Sequence, residues 1–235
     1  MATTSTTTIG NENDDITSLA LRAVSLVILV VLFQLCIARV PSMPQETKRR
    51  WQHALTGHIL VQSSYVLPKH IALILLLIAS AAMVLWRTLF TKHFYQAFGP
   101  LLRPAEMEHG SQYMPGAFYF LLGTAATLWL VDGWTIPRYA VECLALADPM
   151  ASWIGSSVKS PKINAGTSLS GCIACFVTAM GVGYCMLDLD PKNNNNNMQS
   201  LVLGALACTV AEGLPFGNDN LNIPILTALV VDKLG

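Results

Sequence analysis

The sequence predicts an all-α protein, a polytopic integral membrane helix bundle with about seven or eight transmembrane helices. Three observations carry that expectation. Of the 235 residues, 53% are apolar and only 12% are charged, about half the charge of an ordinary soluble domain. Apolar runs recur at the length of roughly 20 residues that a helix needs to cross a bilayer. The basic residues between those runs are unevenly divided between alternate loops, as the positive-inside rule requires. Formal net charge is zero, and no basic patch interleaved with aromatics is present, so nucleic acid is excluded as a partner.

Residues 1–15, "MATTSTTTIGNENDD", are polar, Thr-rich and acidic, and read as a disordered tail ahead of a membrane domain over 16–235. Their acids argue against a secretory signal and an organellar import peptide, and so for the endoplasmic reticulum over the plastid. The first span is Ile16–Ala38, followed by the charged linker "RVPSMPQETKRR". Trp51–Leu67 is a weaker apolar segment and Ile71–Phe90 the strongest. The stretch Thr91–Tyr113 is a longer polar loop whose beginning is amphipathic, with Phe94, Phe98, Leu101 and Leu102 placed to lie along the interface. Further spans follow at Met114–Val131, Trp134–Ile154, Ser168–Leu187, Gln199–Leu214 and about Leu221–Val231.

With the N-terminus outside, the cytoplasmic loops hold Arg39, Lys48, Arg49, Arg50, Lys92, Arg103, Lys159 and Lys162. The opposite loops hold only Lys69, Arg138 and Lys192. Every polar loop with chemical potential then falls on one face. Cys36, Cys143, Cys172, Cys175, Cys185 and Cys208 all lie in apolar stretches and read as small buried packing residues, the "CIAC" pair included.

Five polar stretches stand out. In "RRWQHALTG", Arg49 and His53 share a helix face and form, with Arg50, a cationic rim suited to phosphate groups; topological anchoring is the plainer reading. In "LLRPAEMEHGSQYMPG", Arg103 and Glu106 are placed to pair across one turn. In "AVECLALADPMASWIG", Asp148 is an acid at membrane depth, costly and therefore a functional candidate by default. Pro149 is expected to break the helix there, and Ala151, Ser152, Gly155 and Ser156 leave room for a ligand. Glu142, six residues earlier, falls on another face; pairing with His53, Arg138 or another polar group stands level with a direct role for it.

The loop "SVKSPKINAGTSLSG" offers Lys159, Lys162 and Ser168 for a polyphosphate, although it holds no P-loop. In "AEGLPFGNDNLNIP", Glu212, Asp219 and Asn220 are hard oxygen ligands of the kind Mg²⁺ takes together with phosphate oxygens; an ordinary Asn/Asp turn is the plainer alternative. Their convergence on one face of a charge-poor protein suggests a metal–nucleotide site at the mouth of a bundle.

The order "RRWQHALTG", "LRPAEMEHGSQYMPG", "LADPMASWIG…K…TSLSG", "AEGLPFGNDNLNIP" resembles the polyprenol kinase family. That family includes dolichol, phytol and farnesol kinases and is related in pattern to CDP-diacylglycerol synthases. The resemblance spans residues 49–226 and implies transfer of a phosphoryl group from CTP to the terminal hydroxyl of an isoprenoid alcohol. It marks Arg50, His53 and Gly57, then Asp148, Ala151 and Gly155, then Glu212, Asp219 and Asn220. On this reading Asp148 and Asp219, supported by Glu212 or Asn220, hold Mg²⁺. Lys159 and Lys162 neutralise the triphosphate, and the alcohol arrives sideways from the membrane lipids. Two departures are visible: Ala147 stands where the family has Gly, and "TSLSG" at Thr167–Gly171 stands for Lys-Ser-x-Glu-Gly. A cytidylyltransferase of the CDP-diacylglycerol synthase kind, or a non-catalytic membrane protein of the same fold, remains open.

Overall fold

The structure, a computed structural model, describes residues 8–99, 102, 114–164, 166–187, 194–214 and 217–235. Among them the chain forms nine helices and no strand, with one isolated bridge between Lys162 and Ser168. In chain order these are α1 (Thr8–Ala38), α2 (Gln45–Ser63), α3 (Lys69–Leu89), α4 (Thr91–Phe98), α5 (Gly116–Leu130), α6 (Thr135–Ser157), α7 (Leu169–Met186), α8 (Asn194–Glu212) and α9 (Asp219–Leu234). Three stretches are long and apolar enough to cross a membrane: Thr17–Ile37, Lys69–Leu89 and Leu169–Met186. Gly116–Leu130 and Met198–Glu212 are shorter apolar helices.

Punctuation by proline and polar caps sets the helix starts. Pro44, Pro68 and Pro115 stand immediately before α2, α3 and α5, where a missing N–H costs nothing. Ser168 and Asn218 cap α7 and α9 with side-chain oxygens that accept from Gly171 N and Asn220 N, satisfying amides that have no helical partner. The start of α1 at Thr8 differs from the expected tail. Once the apolar segment is helical, each residue added upstream needs no new nucleus.

Helix α6 is the centre of the fold, packed by α7, α2, α9 and α8. Its core residues Tyr139, Cys143, Leu144 and Ala147 are fully buried against Cys175 and Ala179 of α7, Ala205 and Cys208 of α8 and Ile223 of α9. Most of these are small, so the helix backbones approach closely, which is how helices associate where lipid removes any hydrophobic drive. The other half is looser: α1 packs on α2, and α3 on α5 and α4.

Three sequence expectations are corrected. Pro149 does not break α6, which runs unbroken to Ser157. Only the Ala145 carbonyl loses its helical donor there, and neighbouring helices and side chains absorb such a defect in packed spans. Phe94 is buried, in edge contact with Trp86 and stacked near Phe98, and Leu102 is buried with its carbonyl accepting from Gln45 Nε2 at 2.6 Å. This segment therefore packs on α3 and α2 and does not lie with those residues along the interface; Leu101 is outside the described residues. Cys36 and Cys185 are exposed, whereas Cys143, Cys175 and Cys208 are buried. An apolar run does not tell which face of its helix meets lipid.

Candidate active site

The three acids singled out from sequence converge. Asp148 of α6, Glu212 at the end of α8 and Asp219 at the start of α9 each offer a carboxylate oxygen, all within 4.8 Å of one another and half-buried. The turn between α8 and α9 makes this possible. Gly217 adopts a φ of +87°, and a Cβ there would meet Asn222 at 2.7 Å, so the chain reverses on a residue without one. Asp219 then falls in the first turn of α9, where the exposed amides favour an acid. Three carboxylates this close repel one another unless a cation or bound protons lie between them.

Helix α2 supplies the cationic side. His53 Nε2 lies 3.4 Å from Asp148 Oδ2 and 2.9 Å from the Leu144 carbonyl, and its ring meets the edge of Phe120 at a centroid distance of 4.9 Å. Arg50 donates from Nε to Ser152 Oγ at 3.1 Å and from Nη2 to the Ser152 carbonyl at 3.3 Å. Arg49 instead pairs with Glu46 at 3.0 Å on the same helix. Gly57 allows this approach, because a Cβ there would come within 2.4 Å of Ala145 Cβ.

The lysine loop is held by residues that sequence reasoning passed over. Asn164 Oδ1 accepts from Gly166 N and Thr167 N at 2.9 and 2.7 Å, and its Nδ2 donates to the Gly213 carbonyl at 2.8 Å. One side chain thus folds the loop and ties it beside Glu212; the signal was "NAG", a turn tripeptide. Ser168 lies buried, its hydroxyl capping α7 and donating to the Gly155 carbonyl at 3.3 Å. Gly155 lies close to Ser168 and Gly171, where α6 crosses α7. Asn220 spends its Nδ2 on the Gly116 carbonyl at 2.8 Å and thereby fixes α9 to α5.

The three acids border one cavity of about 810 Å³ together with Arg50, His53, Gly155, Lys162, Ser168 and Asn220, whereas Lys159 is exposed outside its lining. No family model, curated protein or solved structure matches the chain.

Glu142 is not part of that cavity. It is buried on α6 and pairs with His58 of α2, Oε1 to Nδ1 at 2.7 Å, while its Oε2 has no hydrogen-bond partner among the described residues. Neither His53 nor Arg138 is its partner. Arg138 donates to Ser64 Oγ at 2.5 Å and to the Ser64 carbonyl at 2.9 Å, with its guanidinium 3.8 Å from the centre of the Tyr65 ring. The Arg103–Glu106 pairing expected from sequence lies outside the described residues.

The donor set fits a divalent hard cation. Three carboxylates from three helices point at one volume, and Glu212 Oε2 is buried with no hydrogen-bond partner among the described residues. Mg²⁺ characteristically takes one or two carboxylates and fills its remaining positions with waters and phosphate oxygens.

Proposed function

We propose that the chain is a multi-pass membrane enzyme that transfers the γ-phosphoryl group of CTP to the terminal hydroxyl of an isoprenoid alcohol. The observation that carries this reading is the composition of that cavity: a triad of carboxylates and a cationic rim at one end, apolar helix walls beyond. Phosphoryl transfer asks a protein mainly for positioning and charge compensation, so a dedicated nucleophile is not required. The family resemblance supplies the phosphoryl donor and the alcohol class.

In this proposal all eight helices other than α4 cross or enter the bilayer, with the carboxylate end at the cytoplasmic face, in the endoplasmic reticulum. Asp148, Asp219 and Glu212 would hold Mg²⁺, which would compensate charge on the nucleotide's phosphates. Lys162, which borders the same cavity, neutralises the triphosphate. His53 braces Asp148, and Arg50 fixes α2 against the end of α6. The hydroxyl oxygen forms a bond to the γ-phosphorus, its proton passes to Asp148 or to water at the cavity mouth, the bond to the bridging oxygen breaks, and CDP leaves.

Membranes containing the chain, supplied with γ-labelled CTP and a panel of prenols, test this directly. Label is expected in a lipid phosphate, lost in Asp148→Asn. Label appearing in pyrophosphate identifies a cytidylyltransferase instead, and a fully active Asp148→Asn enzyme rules out the assigned site.

A further inference from the structure

The cavity extends far beyond the carboxylates. From Asp148 and His53 it runs along the α2–α6 interface to Leu67, Trp134 and Arg138 at the opposite end of both helices. Its middle is walled by Leu60 of α2, Leu75 and Ala79 of α3 and Leu121 of α5. Its outer side is α1, through Val27 and Val30. Because α1 packs on α2 while α3 packs on α5, the side of the cavity between α1 and α3 is the route by which a lipid tail would enter. The far end, by contrast, is stopped. Leu67 and Pro137 are buried there, and the Arg138 guanidinium is clamped on Ser64 between the Tyr65 and Trp134 rings.

We infer that this blind passage is a ruler for the tail of the lipid substrate, admitting a linear prenyl alcohol of three to four isoprene units, with the Trp134–Arg138 plug as its stop. The α6 register puts Arg138 about 15 Å along the axis from Asp148, and Trp134 about 20 Å. An extended chain advances about 1.2 Å per main-chain bond, so an isoprene unit of four bonds takes about 5 Å. With the hydroxyl at the carboxylates, the fourth unit reaches the plug. A polyprenol several times longer has no room inside and keeps most of its tail in the bilayer. The inference rests on the kinase reading for the position of the hydroxyl, but the tail's seat is tested without catalysis.

Two experiments on the full-length protein separate them. A four-unit alcohol carrying a diazirine at its far end is expected to crosslink residues at Leu67, Leu128 or Trp134. Labels scattered over the outward face of α1 overturn the ruler whether or not the protein phosphorylates anything. In the labelled-CTP assay, kcat/KM is expected to fall about tenfold or more from four units to alcohols about three times longer, the discrimination a shaped apolar pocket can provide. Ala79→Trp, at an exposed position bordering the middle of the passage, is expected to shift preference to two-unit alcohols. Trp134→Ala is expected to admit longer ones. Phosphorylation with equal efficiency across all lengths, unchanged in Ala79→Trp, overturns the ruler while leaving the kinase. Crosslinking at the plug without phosphorylation of any alcohol upholds the ruler and sinks the kinase.

Discussion

Helix α6 carries two acids, and the structure treats them oppositely. Asp148 has 23% of its side chain exposed, borders the cavity and meets two further carboxylates and His53. Glu142 has 6% exposed, lies outside the cavity lining and meets one histidine. Each takes its histidine from α2, since His53 and His58 lie five residues apart on that helix. The same helix pair therefore builds two acid–histidine contacts, and what separates them is access: one opens on a space where a ligand fits, the other is sealed by packing. An acid at membrane depth is a reason to look for function, and the cavity decides whether function is there.

Substitution of the two acids is the strongest way to break the comparison. Asp148→Asn keeps size and hydrogen-bonding shape while removing charge from the triad. It is expected to lower phosphoryl transfer about 100- to 1000-fold, the usual loss when one preorganised electrostatic group is removed, with little change in thermal stability. Glu142→Gln keeps an acceptor for His58 and, lying outside the cavity lining, is expected to leave transfer within about twofold. Equal losses in the two variants would show that Glu142 belongs to the chemistry and that access to the cavity does not separate the two acids.

Much of this was legible in sequence because membrane energetics make polar residues conspicuous. Asp148, Glu212 and Asp219 stood out against apolar spans, and turn chemistry at "GNDN" announced the reversal that brings two of them together. What was hidden depended on which face of a helix meets which neighbour. His58 looked like any polar residue in a weak apolar segment, and its pairing with Glu142 follows only from how α2 lies on α6. Pro149 misled for a related reason: a local rule about hydrogen bonding was overridden by a helix packed on several sides. Lys159 and Lys162 are three residues apart in one loop, and only the fold of that loop around Asn164 separates the one that borders the cavity from the one that does not.

The buried pair offers a second, smaller effect. His58→Ala leaves the Glu142 carboxylate buried with neither oxygen given a side-chain partner, and leaving a buried polar group unsatisfied costs about 1–3 kcal/mol. Thermal unfolding in detergent is expected to show that loss, with transfer activity retained at temperatures where the variant stays folded. Replacing both residues by leucine removes the unpaired carboxylate together with its partner, and is expected to recover most of the stability. A double variant no better than His58→Ala would mean that the pair specifies how α2 and α6 register, a larger role than mutual satisfaction.

The smallest effect tests the comparison at finer grain, between two neighbours in one loop. Both lysines are exposed, so neither substitution should disturb packing. Lys162 borders the cavity, and its bridge to Ser168 fixes its backbone against the capped start of α7. Lys159 has no such tether to the cavity. A single exposed ammonium near a phosphate contributes at most about 1 kcal/mol in water, so Lys162→Ala is expected to raise KM for CTP about three- to fivefold with kcat nearly unchanged. Lys159→Ala is expected to leave KM where it was. Raising the salt concentration should shrink the difference, because exposed charges are screened over about 10 Å at 0.1 M ionic strength. If Lys159→Ala raises KM as much as Lys162→Ala does, the loop must close further over bound nucleotide than it does here, and the rim would then be assembled by the substrate.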